Sequence, residues 1–304
     1  MVNAKEAFDG VLAEVKKHIS GNDEVIELLF TAMVANGNVL LEGVPGLAKT
    51  TTTKALADAV DADFGRVQGT ADLKISDIIG YAYFDDTTKS IQLKKGPIFT
   101  NILLVDEFNR TPPMVTTSML EALEEKQVTI GNTTLPLPKP FIAFATQNPL
   151  NIEGTIPLPK VLTDRFVMRV AFNYATEDQE VDMIRIKEKE EYVKPQRVIT
   201  KEDVLELQEQ AKHITLPDDV VRYMVRVVEA TRKDIHVVMG GSPRAEISFM
   251  RCVKARALIH GKKEGGMDDV KALARAVLSH RIVVKSTGGL GVNGIIDGII
   301  ATLT

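Results

Sequence analysis

The segment Asn38-Val-Leu-Leu-Glu-Gly-Val-Pro-Gly-Leu-Ala-Lys-Thr50 carries the residue types that a phosphate group requires. An apolar run ends, a loop with two glycines follows, and a Lys-Thr pair opens a helical stretch. The loop passes through Gly43, Val44, Pro45, Gly46, Leu47 and Ala48 into Lys49, Thr50 and Thr51. Its N–H groups and those of the first helical turn converge on one point, where the helix dipole adds positive potential. Lys49 would neutralise β- and γ-phosphates there, and the Thr50 hydroxyl would coordinate Mg²⁺. Ala48 stands where the strict pattern has glycine. An alanine keeps its N–H donor but prefers φ below zero, so the loop is expected to enter its helix without a left-handed residue.

A second constellation complements the first. Ile102-Leu-Leu-Val-Asp-Glu107 is an apolar strand pattern ending in two carboxylates. Asp106 is placed to hold a Mg²⁺ shell, partly through water. Glu107 is placed to orient and deprotonate a water that attacks a γ-phosphate.

Both constellations need a rigid frame, and the flanking pattern supplies one. Short, nearly continuous apolar runs at Val39–Leu41, Phe64–Gln68, Ile102–Asp106, Phe141–Ala145 and Val167–Phe172 read as parallel strands covered on both faces. Helical patterns alternate with them: Glu24–Ala35, a stretch from Lys49 through Val60, and one capped by Thr111 with Pro112 in its first turn. This alternation predicts a three-layer αβα domain with a parallel five-stranded sheet. Tyr81–Leu93 and Val128–Leu137 read as hairpins interrupting the rhythm. After Asn173 the pattern is helical throughout: a charged linker helix over Glu177–Glu191, then Lys201–Lys212 capped by Thr200, Asp218–Arg232, Arg244–Ile259 and Asp269–Ser279. The division predicted is residues 1–174 and 175–304, with the first hairpin an insert at about 78–96. A length of 304 residues agrees with about two domains.

Composition narrows the function. With 37 basic and 41 acidic residues the net charge is −4, and aromatics make up 5%, which together argue against nucleic acid as the main partner. The only cysteine, Cys252, lies in an apolar helical pattern and reads as core, excluding an internal disulfide framework. The longest apolar runs are too short for a membrane span, and the N-terminus lacks a secretory h-region; both assign the chain to the cytoplasm. His18, His213, His236, His260 and His280 are scattered without metal-ligand spacing. The glycines between Gly288 and Gly298 read as a mobile C-terminal segment, since no Lys-Ser/Thr follows them.

Four motifs in order, Glu42–Thr50, Val105–Pro113, Ala145-Thr-Gln-Asn-Pro149 and Leu162-Thr-Asp-Arg-Phe166, resemble the MoxR family of AAA+ ATPases, and the resemblance runs along almost the whole chain. In that family alanine before the Walker A lysine is usual. The resemblance implies a P-loop αβα core with a small helical lid, ATP and Mg²⁺ as cofactors, and further roles. Asn148 matches sensor 1, which helps hold the attacking water. Arg165 matches the arginine finger given to a neighbouring subunit, and it has no evident use within one chain. Arg244 matches sensor 2, acting in cis or across the interface. The hairpin Tyr81–Leu93 matches the helix-2 insert, with Lys89, Lys94 and Lys95 beside it. The family implies an oligomer, expected as a hexameric ring, that remodels, assembles or activates protein clients, often with a von Willebrand factor A domain partner. Two other readings use the same engine: a nucleic-acid translocase, as in the related MCM helicases, and a magnesium-chelatase-like motor subunit. Arg110, after the second constellation, serves either an interface or its own helix edge.

Overall fold

The computed structural model describes residues 2–149, 155–188, 194–285 and 291–303. Helices α1 (Ala4–Lys16) and α2 (Asp23–Val34) precede strand β1 (Val39–Glu42), whose exit loop leads into α3 (Lys49–Ala59). Strand β2 (Phe64–Gln68), the short α4 (Ile75–Ile79) and an antiparallel hairpin of β3 (Gly80–Asp85) and β4 (Ser90–Lys95) follow. Next come β5 (Ile102–Asp106), a 3-10 turn at Phe108–Arg110 and α5 (Pro113–Glu125). A second hairpin of β6 (Gln127–Ile130) and β7 (Thr133–Pro136) leads to β8 (Ile142–Gln147), α6 (Lys160–Thr163) and β9 (Met168–Ala171). Beyond them lie α7 (Glu177–Glu188), α8 (Lys201–Lys212), α9 (Asp218–Lys233), β10 (Val237–Met239), α10 (Pro243–Ile259), α11 (Met267–Leu278), β11 (Val283–Val284) and α12 (Val292–Thr302).

The sheet is parallel with order β2-β5-β8-β1-β9. Its inner strands are apolar until their carboxyl ends because both faces are covered, and the two-residue period of a strand sorts the side chains by face. Val39, Leu41, Ile102, Leu104, Ile142 and Phe144 join the core formed with α1, α2 and α3. Leu40, Leu103, Val105, Ala143 and Ala145 join the core formed with α5. The first core runs on without a break into the helices after Asn173, taking in Val204, Leu207, Phe249, Leu273 and Ile295. The lid is therefore seated on α1, α2 and the sheet through apolar packing.

Several details differ from the sequence reading. The helix expected to be capped by Thr111 starts at Pro113. Pro112 precedes another proline and is held extended at ψ 144°, while the Thr111 hydroxyl donates to the Phe108 carbonyl at 2.7 Å and closes the preceding turn. The lid is not purely helical: β10 and β11 pair antiparallel, and at three and two residues they are too short to leave a periodic signature. The glycine-rich tail is not a mobile segment over Val292–Thr302, where α12 buries Ile295, Ile296 and Ile299; residues 286–290 of that expectation, like 189–191 of the linker helix, lie outside the described residues. Helix α1, absent from the sequence reading, is capped by the Asn3 side chain, which accepts from the Lys5 and Glu6 N–H groups. No helix among the described residues is long and apolar enough to cross a membrane.

Candidate active site

Strands β5, β8 and β1 lie side by side, so the loops at their carboxyl ends open onto one cleft, the usual place for a ligand in a parallel sheet. The cleft, of about 350 Å³, is lined by Gly43, Pro45–Thr51, Asp106, Glu107 and Asn148, bringing together the phosphate loop, the paired carboxylates and the sensor 1 position. Arg66, Gln68, Thr146 and Gln147 complete the lining.

The phosphate loop takes its shape from glycines and one unexpected alanine. Gly46 has φ 90°, with open space where a side chain would stand. Ala48 is left-handed at φ 56°, ψ 19°, against the expectation of φ below zero. The conformation costs an alanine about 1–2 kcal/mol. It is held by helix α3 behind it, where both the N–H and the hydroxyl of Thr52 donate to the Ala48 carbonyl at 2.8 and 2.9 Å. Lys49 Nζ donates to the carbonyls of Gly43 and Val44 at 2.7 and 2.8 Å. Burial lowers its pKa, and the charges of Asp106 and Glu107 oppose that shift. Its ammonium thus hangs over the loop with carbonyl partners that an anion can replace.

Asp106 is buried and intensively bonded. It accepts from Thr50 Oγ1 at 3.3 Å, Thr146 Oγ1 at 3.2 Å and Arg66 Nε at 2.7 Å. Glu107, the next residue, is left-handed at φ 52°. Non-glycine residues in that region cluster where function demands a particular side-chain direction. Its N–H donates to Thr146 Oγ1 at 2.8 Å, and its Oε2 lies 3.1 Å from Arg110 Nη1. Arg110 thus has a use within its own chain. Gly69 allows this crossing: a Cβ there would stand 2.3 Å from the Glu107 carbonyl oxygen. Asn148 follows β8 and is pinned through its carbonyl, which accepts from Asn109 Nδ2 at 3.2 Å.

The sequence reading missed Thr146, Arg66 and Gln68. Thr146 was visible, inside Ala145-Thr-Gln-Asn-Pro149, and the pairing of Val105 with Ala145 brings it beside Asp106. Arg66 and Gln68 carried no signal of their own, because only the pairing of Gln68 with Asp106 brings the end of β2 to the cleft.

Arg165 and Arg244 are not among the residues lining this cleft. Both sit on Glu124, near the end of α5. Arg165 Nε lies 2.9 Å from Glu124 Oε2, Arg165 Nη1 donates to the Val161 carbonyl, and Arg244 Nη1 pairs with Glu124 Oε1. Arg165 therefore does have intrachain partners, against the expectation that it has none. On the hairpin, the three lysines are engaged: Lys89 pairs with Asp86 at 3.4 Å, Lys94 lies over the Tyr81 ring and Lys95 over the Phe99 ring.

A parallel αβα sheet with a glycine loop, a lysine and paired carboxylates at one carboxyl edge defines a nucleoside-triphosphate hydrolase. Residues 38–168 match the model of the ATPase family associated with various cellular activities, and 229–290 match the AAA lid domain. The chain is 37% identical over 285 residues to the uncharacterized protein YeaC of Bacillus subtilis, covering 92% of this chain and 89% of that one. It is 37% identical over 288 residues to the chaperone MoxR1 of Mycobacterium tuberculosis, covering 91% and 76%. The crystal structure of a Cytophaga hutchinsonii protein proposed to be an ATPase superposes with a TM-score of 0.91 at 35% identity, over 98% of this chain and 94% of that one. The chain belongs to the MoxR family of AAA+ ATPases, and it is an ATPase.

Proposed function

We propose that the protein hydrolyses ATP with Mg²⁺ in an oligomeric ring and uses the cycle to remodel protein clients. The observation that carries this reading is the convergence of Lys49, Thr50, Asp106, Glu107 and Asn148 on one cleft while Arg165 and Arg244 lie outside it. The cleft's own Arg66 is engaged by Asp106, and the guanidinium that meets the γ-phosphate comes in this reading from a neighbouring chain, in cyclic order.

Magnesium fits the residues present. Thr50 Oγ1 and the Asp106 carboxylate are hard oxygen donors 3.3 Å apart, the kind this ion prefers, and they would hold it. When bound, it would supply the positive charge that offsets negative charge developing on the phosphates. Lys49 moves from the loop carbonyls to the phosphates. Thr146 fixes the Asp106 carboxylate and the Glu107 backbone at once, and Glu107 lines the cleft. There Glu107, released from Arg110, accepts the proton of the attacking water that Asn148 orients. Arg165, and Arg244 with it, meets the γ-phosphate of the adjacent subunit.

The division at residue 174 and the role of the β3–β4 hairpin as an insert that meets the client belong to the same proposal. Phe84 and Ile91 are cross-strand partners and are 59% and 72% exposed, while the hairpin lysines are tied to Asp86, Tyr81 and Phe99. An apolar pair with neutralised or stacked lysines favours a protein client over DNA. The name chaperone borne by the Mycobacterium relative supports the same choice. A cytoplasmic site of action and a von Willebrand factor A domain partner are part of the proposal on family grounds.

Two substitutions test the site. Lys49→Ala should abolish binding of a fluorescent ATP analogue. Glu107→Gln should bind it normally and lose turnover by about 10²–10⁴-fold, the usual contribution of a general base. Normal nucleotide binding by the Lys49 variant would overturn the assignment of the loop.

A further inference from the structure

The two arginines outside the cleft come from different parts of the molecule. Arg165 follows α6 and precedes β9, in the sheet domain, whereas Arg244 is in the first turn of α10, in the lid. Two guanidinium groups repel unless an anion lies between them. Here the anion is Glu124: one oxygen takes Arg165 at 2.9 Å and the other takes Arg244. Burial pushes the Glu124 pKa up, but the guanidiniums of Arg244 and Arg165 outweigh it and hold the carboxyl below its ordinary value.

A second set of bonds fixes the same junction from below. Asp164, adjacent to Arg165, accepts from Ser242 Oγ at 3.1 Å and from Arg281 Nε at 2.9 Å. Arg281 is buried and also donates to the Phe166 carbonyl at 2.8 Å and to Ser248 Oγ, on α10, at 2.9 Å. Arg281 therefore ties the segment around Arg165 to the helix that carries Arg244. Three guanidiniums face two carboxylates, so the junction keeps an excess of positive charge. Among the described residues, Nη2 of Arg165 and of Arg244 donates no hydrogen bond within the chain. An anion reaching this edge meets two guanidiniums held on one carboxylate.

We propose that Glu124 is a positioning residue that clamps Arg165 and Arg244 into a single two-armed phosphate receptor, so that the lid and the sheet domain present their arginines to the neighbouring nucleotide together. The inference rests on the reading of the two arginines as groups given to an adjacent subunit. Glu124 itself touches no nucleotide; it acts through its two partners. Removing its charge lets the guanidiniums part and uncouples the lid arm from the body arm.

Mixed assemblies separate the inference from the reading beneath it. A Lys49→Ala chain has no working cleft but offers intact arginines; an Arg165→Ala chain has a working cleft but a defective arm. Mixing them should restore ATP hydrolysis that neither shows alone. Using Lys49→Ala/Glu124→Gln as the donor should lower the kcat of the mixture about tenfold, the scale of one charge-assisted hydrogen bond, with KM changed less than twofold because the accepting cleft is untouched. Glu124→Asp in the donor should recover part of the loss, and adding Arg244→Ala to the Glu124→Gln donor should lower the rate little further. Unaltered ATP-analogue affinity of a Glu124→Gln chain with its own Lys49 shows that the variant is folded. Equal restoration by the Glu124→Gln donor and the intact donor would overturn the clamp while leaving the trans arginines standing. No restoration by either donor would overturn both.

Discussion

Lys126 shows how a single side chain responds to its surroundings. It closes α5 in the left-handed region, its ammonium donates to Asn38 Oδ1 at 3.1 Å, and it lies over the Phe141 ring. Burial, and secondarily the charge of Arg251, push its pKa down to about 8. The unfolded chain holds that proton up to the ordinary lysine value, so the folded state is penalised below pH 8, and the penalty fades as pH rises toward 10.4. Lys126→Met is therefore expected to stabilise the protein at pH 7 by about 1–3 kcal/mol and to lose most of that gain at pH 10. Urea denaturation of both proteins at the two pH values measures it; an equal gain at both would show that charge is not the cause. Cys252 gives a simpler expectation. Burial pushes its thiol up to about 12, so a thiol reagent should label it only after unfolding, and labelling at native rates would contradict its place in the core.

At the scale of elements, what was legible follows from what leaves a local signal. The inner strands of the sheet are apolar until their carboxyl ends, the helices carry an apolar stripe, and Thr200 caps α8 with the expected bond from the Asp203 N–H. These are nearest-neighbour effects, and sequence spacing exposes them. The phosphate loop and the paired carboxylates were legible for the same reason, since each is a contiguous string at a strand end. Arg66 and Thr146 became functional only through strand pairing, and the Glu124 junction through residues 120 positions apart. The start of α5 turned on a Pro-Pro pair, and Ala48 on a backbone conformation that alanine avoids alone. That last point is testable. Ala48→Gly should stabilise the protein by about 0.5–1 kcal/mol, because glycine adopts φ 56° without a Cβ penalty, offset in part by its greater freedom when unfolded. A loss of stability in thermal unfolding would mean that the methyl group makes contacts outweighing the strain.

At the scale of the molecule, α1, α2, the sheet and the lid helices share one continuous apolar core. His280 lies in this seam. It is fully buried, with Nε2 on the Phe166 carbonyl at 2.9 Å, and burial holds its pKa well below the ordinary histidine value, with the charge of Arg281 adding to the shift. Since the unfolded chain takes up this proton first, stability contributed by the seam is present above pH 6.5 and falls away as pH drops below it. The cleft and the two arginines nonetheless occupy different parts of one chain, and in the proposed ring a second chain brings them together. The measurement that tests this most directly is steady-state ATP hydrolysis per subunit over a wide range of protein concentration with Mg²⁺, with sedimentation at the same concentrations. Activity per subunit should rise as chains assemble and be nearly absent for the monomer. Monomers that hydrolyse ATP at the full rate would contradict a site completed between subunits.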